Sequence, residues 1–260
     1  MSRTDPTPLH RLLTALRHLA PTRPAPPVLY QTSTMAALLA GVYDGDVTVA
    51  ELLRHGDFGL GTFDALDGEM LVLDGVCHRL RADGTVQRAA DDDRVPFAAV
   101  TRFPHGRPVS LSGPLDRAAT YEAVGRLLTS VNLVHAIRIE GSFARLRCRT
   151  VARQPRPYPP LSEATAGQAE NVFRDTRGTL AGFFTPDYEQ GVSVAGHHLH
   201  FLDEPGDHGG HALDFTLIEG QVTVAPLSEL RLRLPTTDEF LHARTPSAPL
   251  DEQIRRIENG

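Results

Sequence analysis

The stretch from Gly196 to Ile218 constrains the fold of this chain more tightly than any other. His197-His198-Leu199-His200-Phe201 reads as a strand, which puts His198 and His200 on one face and Leu199 and Phe201 on the other. The turn formers Asp203-Glu204-Pro205-Gly206-Asp207-His208-Gly209-Gly210 follow, and His211-Ala-Leu-Asp-Phe-Thr-Leu-Ile alternates again as a returning strand. An antiparallel hairpin therefore brings His211 back beside the first pair. Three imidazoles with coordination positions left open form the pattern of a catalytic zinc site, because structural sites are closed and usually rich in cysteine. A solvated, histidine-rich hairpin end is the alternative. It gives no reason for two histidines to share a face with apolar neighbours behind them.

Composition narrows the classes of function. At 260 residues and 41% hydrophobic content the chain has room for one large domain or two modest ones with packed cores. A net charge of −6 without a long basic stripe gives no electrostatic case for nucleic acid or an anionic membrane as partner. No apolar run is long enough for a bilayer span, and the first residues lack the pattern of a secretion signal, so the expected location is the cytoplasm. Cys77 and Cys148 lie far apart within expected strands and read as reduced, packed thiols. All 26 basic residues are arginine. Without a lysine the chain can form neither a Schiff base with a substrate carbonyl nor an internal aldimine with pyridoxal phosphate.

Residues 1–27 combine a short amphipathic piece with Pro21-Thr-Arg-Pro-Ala-Pro-Pro27 and are expected to form a mobile extension. Thr34 to Ala40 predicts a helix, and Thr48-Val-Ala-Glu51 predicts a second that starts with a capping box. Asp67-Gly68, Asp74-Gly75 and Asp83-Gly84 separate short apolar runs as hairpin turns. Phe97 to Phe103 adds a strand, Leu115 to Val131 predicts the longest helix, and Val134 to Glu140 and Phe143 to Val151 predict two strands joined at Gly141-Ser142. On the second of these Arg145, Arg147 and Arg149 share a face, the first two as a solvated edge and the last turning toward an anion pocket. Gln154 to Pro160 reads as a semi-rigid linker. Beyond it a helix is expected over Ser162 to Phe173, then strands at Thr179 to Phe184, the histidine hairpin, Gln221 to Ala225 and Glu229 to Leu234, and a short helix over Leu250 to Ile257. The expected fold is α/β of the α+β type in two domains. Residues 28–153 form a mixed-sheet half with helices, and residues 161–260 form an antiparallel, barrel-like half carrying the hairpin and the tail.

Tyr30-Gln-Thr-Ser-Thr-Met-Ala-Ala-Leu, Gly41-Val-Tyr-Asp-Gly-Asp, His55-Gly-Asp-Phe-Gly-Leu-Gly-Thr62-Phe and Leu66-Asp-Gly-Glu69-Met, together with the hairpin, resemble the α-acetolactate decarboxylase family in consistent order from about Leu29 to about Ala243. The resemblance implies one Zn²⁺ per chain on His198, His200 and His211. It also implies that Glu69 and Arg149 face the metal, that Thr62 contacts substrate, and that an acidic residue near the C-terminus, Glu258 or else Glu252, joins them. His197 departs from the family pattern and should point away from the metal, as Leu199 does. The family reading further implies a homodimer that acts on a small molecule, 2-acetolactate, in the acetoin and 2,3-butanediol pathway.

The chemistry follows from the residue types. Acetolactate is a β-keto acid with a hydroxyl on the carbon that loses carboxylate, so its keto and hydroxyl oxygens can chelate one metal. A Zn²⁺ on three neutral imidazoles keeps its positive charge and can stabilise the enediolate left by carbon dioxide without an imine. Arg149 offers a fixed planar cation for a carboxylate, and Glu69 a group to hold or return a proton. Outside that reading, a carboxylate following a glycine in a turn is ordinarily just solvated. The rival is a cupin-type metalloenzyme, in which His198, His200 and Glu204 ahead of Pro205-Gly206 would bind iron or manganese. His211 comes too early for the downstream histidine of that motif, and His242 lacks the asparagine that should follow it. A non-catalytic metal-binding module has no use for the Gly-Thr-Phe and Gly-Glu motifs of the first half.

Overall fold

The computed structural model describes residues 27–104, 106–244, 253, 254 and 257. The first twenty-six residues of the expected N-terminal extension, and most of the tail, lie outside them. The chain opens with β1 (Val28–Thr32) and α1 (Met35–Leu39), whose N-cap Thr34 accepts a hydrogen bond from the Ala37 N–H. β2 (Val47–Thr48) leads into α2 (Val49–Leu53), and the expected capping box is formed in both directions between Thr48 and Glu51. The meander follows as β3 (Phe58–Thr62), β4 (Glu69–Leu73), β5 (Val76–Leu80) and β6 (Val86–Arg88), then β7 (Arg94–Val95) and β8 (Phe97–Thr101). The Asp74-Gly75 turn has both residues in the left-handed region, φ 50° and 79°, as a two-residue hairpin between right-twisted strands requires.

The second sheet is built from β9 (Val109–Asp116), β10 (Val134–Thr150), β11 (Ala169–Thr185), β12 (Gly196–Asp203) and β13 (Gly209–Leu227). β14 (Glu229–Arg233) closes the strand list. Three helices accompany them: α3 (Arg117–Gly125), α4 (Leu161–Ala164) and α5 (Asp238–His242). The first sheet has seven strands in the order β14-β1-β8-β3-β4-β5-β6, all antiparallel except the β14–β1 pair. The second has the order β10-β11-β12-β13-β9, and an added β10–β13 pairing bends it into a nearly closed ring. This is the expected architecture of a mixed sheet with helices beside an antiparallel, ring-like sheet bearing the histidines. Among the described residues no helix is long and apolar enough to cross a membrane.

Period-two alternation partitions the cores. On β4, Leu71 and Leu73 face the ring and pack with Ala181, Phe183 and Leu202, while Met70 and Val72 face α2 and pack with Val49 and Leu52. Phe143, Leu146, Phe201 and Phe215 fill the inside of the ring. Cys77 and Cys148 are both buried free thiols, as expected.

Several elements differ from the local reading. The expected helix over Leu115 to Val131 starts only after Asp116, which still belongs to β9 and caps α3 by accepting from the Ala119 N–H. The Ser162 to Phe173 helix reduces to α4, because Gly167 interrupts it and Val172 and Phe173 enter β11. Val134 to Thr150 is one strand rather than two: Gly141 sits opposite Gly178 and Gly220, so the strand crosses a crowded point without turning. Likewise His211 to Ala225 runs unbroken in β13. Glu229 to Leu234 was expected beside the metal hairpin, but β14 pairs in parallel with β1 in the other sheet. The proline-rich segment is packed down, since Tyr43 Oη donates to the Pro159 carbonyl and Gln154 N–H to the Ala65 carbonyl.

Two positions generate measurable consequences. A Cβ on Gly182 would lie 2.1 Å from the His198 carbonyl oxygen and 2.7 Å from Leu60 Cδ2, where the ring rests on the first sheet. Gly182→Ala is therefore expected to lower the denaturation free energy by about 1–3 kcal/mol, whereas Gly167→Ala, with nothing within 4 Å, changes it by under about 0.5 kcal/mol. His135 is fully buried; its Nδ1–H donates to the Leu133 carbonyl and its Nε2 accepts from the Thr129 N–H. Burial holds its pKa below the usual 6.5. The unfolded chain binds a proton there that the folded chain refuses, so the stabilisation is present above pH 6.5 and is lost as pH falls from there. His135→Phe should flatten the fall of stability with decreasing pH just below 6.5 by up to one proton, about 1.4 kcal/mol per pH unit.

Candidate metal centre

The site begins with the strand register. His198 and His200 leave β12 on one face while Leu199 and Phe201 enter the ring core, and His200 lies directly across from His211 on β13. The ring centroids form a triangle of 5.2, 5.0 and 5.4 Å, and one nitrogen from each ring falls within 4.8 Å of the others. His200 Nδ1 donates to the Met70 carbonyl at 2.7 Å, which fixes the tautomer and leaves Nε2 for a ligand. Burial first, then the neighbouring Arg149, push His198 down to about 3. The ring is thus the neutral imidazole that coordinates metal. His197 turns the other way and stacks on Tyr121 at 4.0 Å. Burial lowers its pKa to about 4.

Two charged groups converge on the triangle. Glu69 opens β4 straight after the Asp67-Gly68 turn, and its Oε2 lies 3.8 Å from His200 Nε2. Thr62 is its cross-strand partner, and the Thr62 hydroxyl donates to the Gly68 carbonyl at 2.8 Å, which braces that turn. Arg149 stands opposite His211 on β10, is only 3% exposed, and donates from Nη1 to Gln168 Oε1 at 3.1 Å. Arg145 and Arg147 are solvated as expected but not on an edge, because β10 has neighbours on both sides; they reach Asp214 and Glu170 at 2.9 and 3.2 Å. Of the three arginines only the last enters the cleft.

That cleft is lined by Thr62, Glu69, Arg149, His198 and His211. Its remaining wall is apolar, from Met35 and Leu38 of α1, Phe97, Leu161 and Ile257. Ile257 brings the end of the chain to the cleft, although Glu252 and Glu258 lie outside the described residues. Glu204 sits in the hairpin turn with its carboxylate 3.6 Å from Arg177 Nε, and His208 pairs with Asp203 at 3.0 Å. The Met70 carbonyl, Gln168 and Leu161 escaped the sequence reading. The first is a backbone atom, Gln168 lies where the helical pattern of residues 162–173 was misleading, and Leu161 falls between the expected linker and that helix.

Fold and centre together define an α+β protein with three convergent imidazoles, a glutamate and a buried arginine in an apolar-walled cleft. Residues 29–245 match the family described as alpha-acetolactate decarboxylase. Alpha-acetolactate decarboxylases of Methylococcus capsulatus and Klebsiella aerogenes are 44% and 41% identical, over 89% of this chain and 88% and 89% of theirs. The crystal structure of the Bacillus subtilis strain 168 enzyme superposes with a TM-score of 0.88 at 40% identity, covering 90% of this chain and all of that one. The chain belongs to the alpha-acetolactate decarboxylase family and is an enzyme of the carboxy-lyase class.

The donor set fits a divalent ion, being three imidazole nitrogens on a rigid strand pair with one ring oriented from behind. Elemental analysis of purified protein should find the metal largely lost in His198→Ala, His200→Ala and His211→Ala. His197→Ala and His208→Ala should retain it, since both rings point elsewhere. Stoichiometric metal in all three single variants would remove the assignment.

Proposed function

We propose that this chain converts (S)-2-acetolactate to (R)-acetoin and carbon dioxide in the cleft at His198, His200 and His211. The observation that carries the reading is the convergence of three imidazoles, Glu69 and Arg149 on one apolar-walled cavity in a chain of this family. His198, His200 and His211 would hold one Zn²⁺ per chain, whose charge stabilises the oxygen on which negative charge develops as carbon dioxide leaves.

The protein's own groups do the rest. The guanidinium of Arg149 is planar, permanently charged and anchored at Nη1 by Gln168, so it orients the substrate carboxylate without surrendering its proton. The bond from the hydroxyl-bearing carbon to the carboxylate breaks, its electron pair moves toward the keto oxygen, and the vacated carbon then takes a proton. Glu69 sits where it can hold the substrate hydroxyl proton and return a proton to that carbon. Thr62 supports substrate and, through the Gly68 carbonyl, the turn that aims Glu69. The apolar wall from Met35, Leu38, Leu161 and Ile257 accepts the substrate methyl groups and excludes water. Glu258 follows Ile257 directly in sequence and is the proposed further acid, with Glu252 as the alternative. The family reading extends to a cytoplasmic homodimer.

Carbon dioxide release from racemic acetolactate is the direct assay, and a chelator should abolish it. Arg149→Lys should lose activity by about a hundredfold or more despite keeping a charge, because the planar fork is gone, while Arg145→Lys and Arg147→Lys stay near the parent rate. Glu69→Ala should be inactive and Glu204→Ala nearly unchanged. Turnover that required dioxygen, or that depended on Glu204, would replace this reading with the cupin-type one.

A further inference from the structure

Two of the motifs behind the family resemblance begin at residues that the metal-centre cleft does not use. Tyr30 opens the first and His55 the third, and neither lines that cleft. They meet each other instead, with rings stacked at 3.8 Å and 6°, in a separate cleft that shares no lining residue with the first. Arg54 follows α2, Arg102 follows β8 and Arg231 sits on β14, and all three line this second cleft. Three distant segments of sequence thus bring guanidiniums to one concavity. The Arg102 Nη2 donates to the Arg54 carbonyl at 3.0 Å, so that fork is held in place.

The three guanidiniums lining this cleft form no ion pair with the described carboxylates. Among the described residues no carboxylate lies within ion-pair distance of Arg54, Arg102 or Arg231, although Arg79, Arg138, Arg145, Arg147 and Arg177 each have one. Burial, then Arg231, Arg233, Arg54 and Arg102 in that order, depress the His55 pKa, and every charge acting on this imidazole is positive. Arg233, which does not line the cleft, has Asp46 at 3.7 Å, and Glu51 feels the charges of Arg233 and Arg54 while its carboxylate accepts from the Thr48 N–H instead of pairing with either. Such a concentration of like charge on a chain of net charge −6 is a local field, focused by the low-dielectric walls of a concave site.

We propose that this cleft is a second binding site, for a small phosphate-bearing anion held by Arg54, Arg102 and Arg231 over the Tyr30–His55 stack. Guanidinium forks match pairs of phosphate oxygens, and three converging cations favour a dianion over a single carboxylate. Inorganic phosphate and a phosphate monoester share this chemistry. The inference is independent of the reaction proposed for the metal centre.

Isothermal titration of the metal-loaded full chain with inorganic phosphate, and separately with glycerol 3-phosphate, tests it. One saturable site per chain is expected for at least one of the two, and the tighter ligand identifies the source. The double variant Arg102→Gln/Arg231→Gln should bind roughly tenfold more weakly or worse, with carbon dioxide release unchanged. Arg88→Gln/Arg174→Gln removes the same charge from exposed positions elsewhere and should bind within about twofold of the parent. No saturable binding by the parent, or equal loss in both double variants, overturns the proposal. So does binding that survives Arg102→Gln/Arg231→Gln and disappears on chelation, because the anion would then sit at the metal centre.

Discussion

The hydrogen bond from His200 Nδ1 to the Met70 carbonyl is where the two sheets become one functional unit. His200 belongs to the ring and Met70 to the meander, so a single 2.7 Å contact sets the tautomer of a ligand on one sheet by a backbone atom of the other. The same β4 backbone that offers the carbonyl also carries Glu69 one residue earlier, which places the carboxylate beside the imidazole it faces. Displacing β4 by one residue would send Glu69 to the opposite face of the sheet and withdraw the carbonyl together. Register, more than any individual contact energy, is what the centre depends on.

Close approach of the sheets in turn depends on missing side chains. Gly182 on β11 lets Leu60 of β3 sit against the ring backbone, and Gly61 fits against the Phe97 and Ala98 backbone within the first sheet. Leu199 and Phe201 anchor β12 from inside the ring, so His198 and His200 are displayed on the outside by a strand that cannot roll. Arg149 adds electrostatic preorganisation, since its charge opposes protonation of His198 before any ligand arrives.

The sequence was most legible where period and turn chemistry agree. The alternation of His198 and His200 against Leu199 and Phe201, the Asp-Gly turns and the Thr48–Glu51 capping box are local signals, and the structure follows them. Legibility failed where tertiary pairing overrides local preference. Val172 and Phe173 look helical in their window but are claimed by the ladder with Leu146 and Arg147. Gly141 looks like a turn, yet it is flanked on both sides by glycines of neighbouring strands and is a crossing point within one long strand. The partner of β14 lies about two hundred residues away, and nothing in Glu229-Leu-Arg-Leu-Arg233 names it. The triangle of histidines could be read from spacing; the roles of Glu69 and Arg149 required the family pattern, because a turn glutamate and one arginine among many carry no local distinction.

The pairing of β14 with β1 and the packing of Ile254 and Ile257 against α1 and α4 bring late segments of the described residues back to early ones. β1 thus gains its outer neighbour from a segment that follows the whole ring in sequence. The ring can gather from β9 to β13 as those strands appear, but the first sheet keeps an open side until β14 follows, and the cleft lacks its Ile257 wall until that residue follows in turn. A contact of such sequence separation is slow to form and imposes a large loop-closure entropy. The last wall of the metal-centre cleft is therefore set after the ring that displays its ligands, so a chain cut before Ile257 carries the three histidines without that part of the enclosure around them.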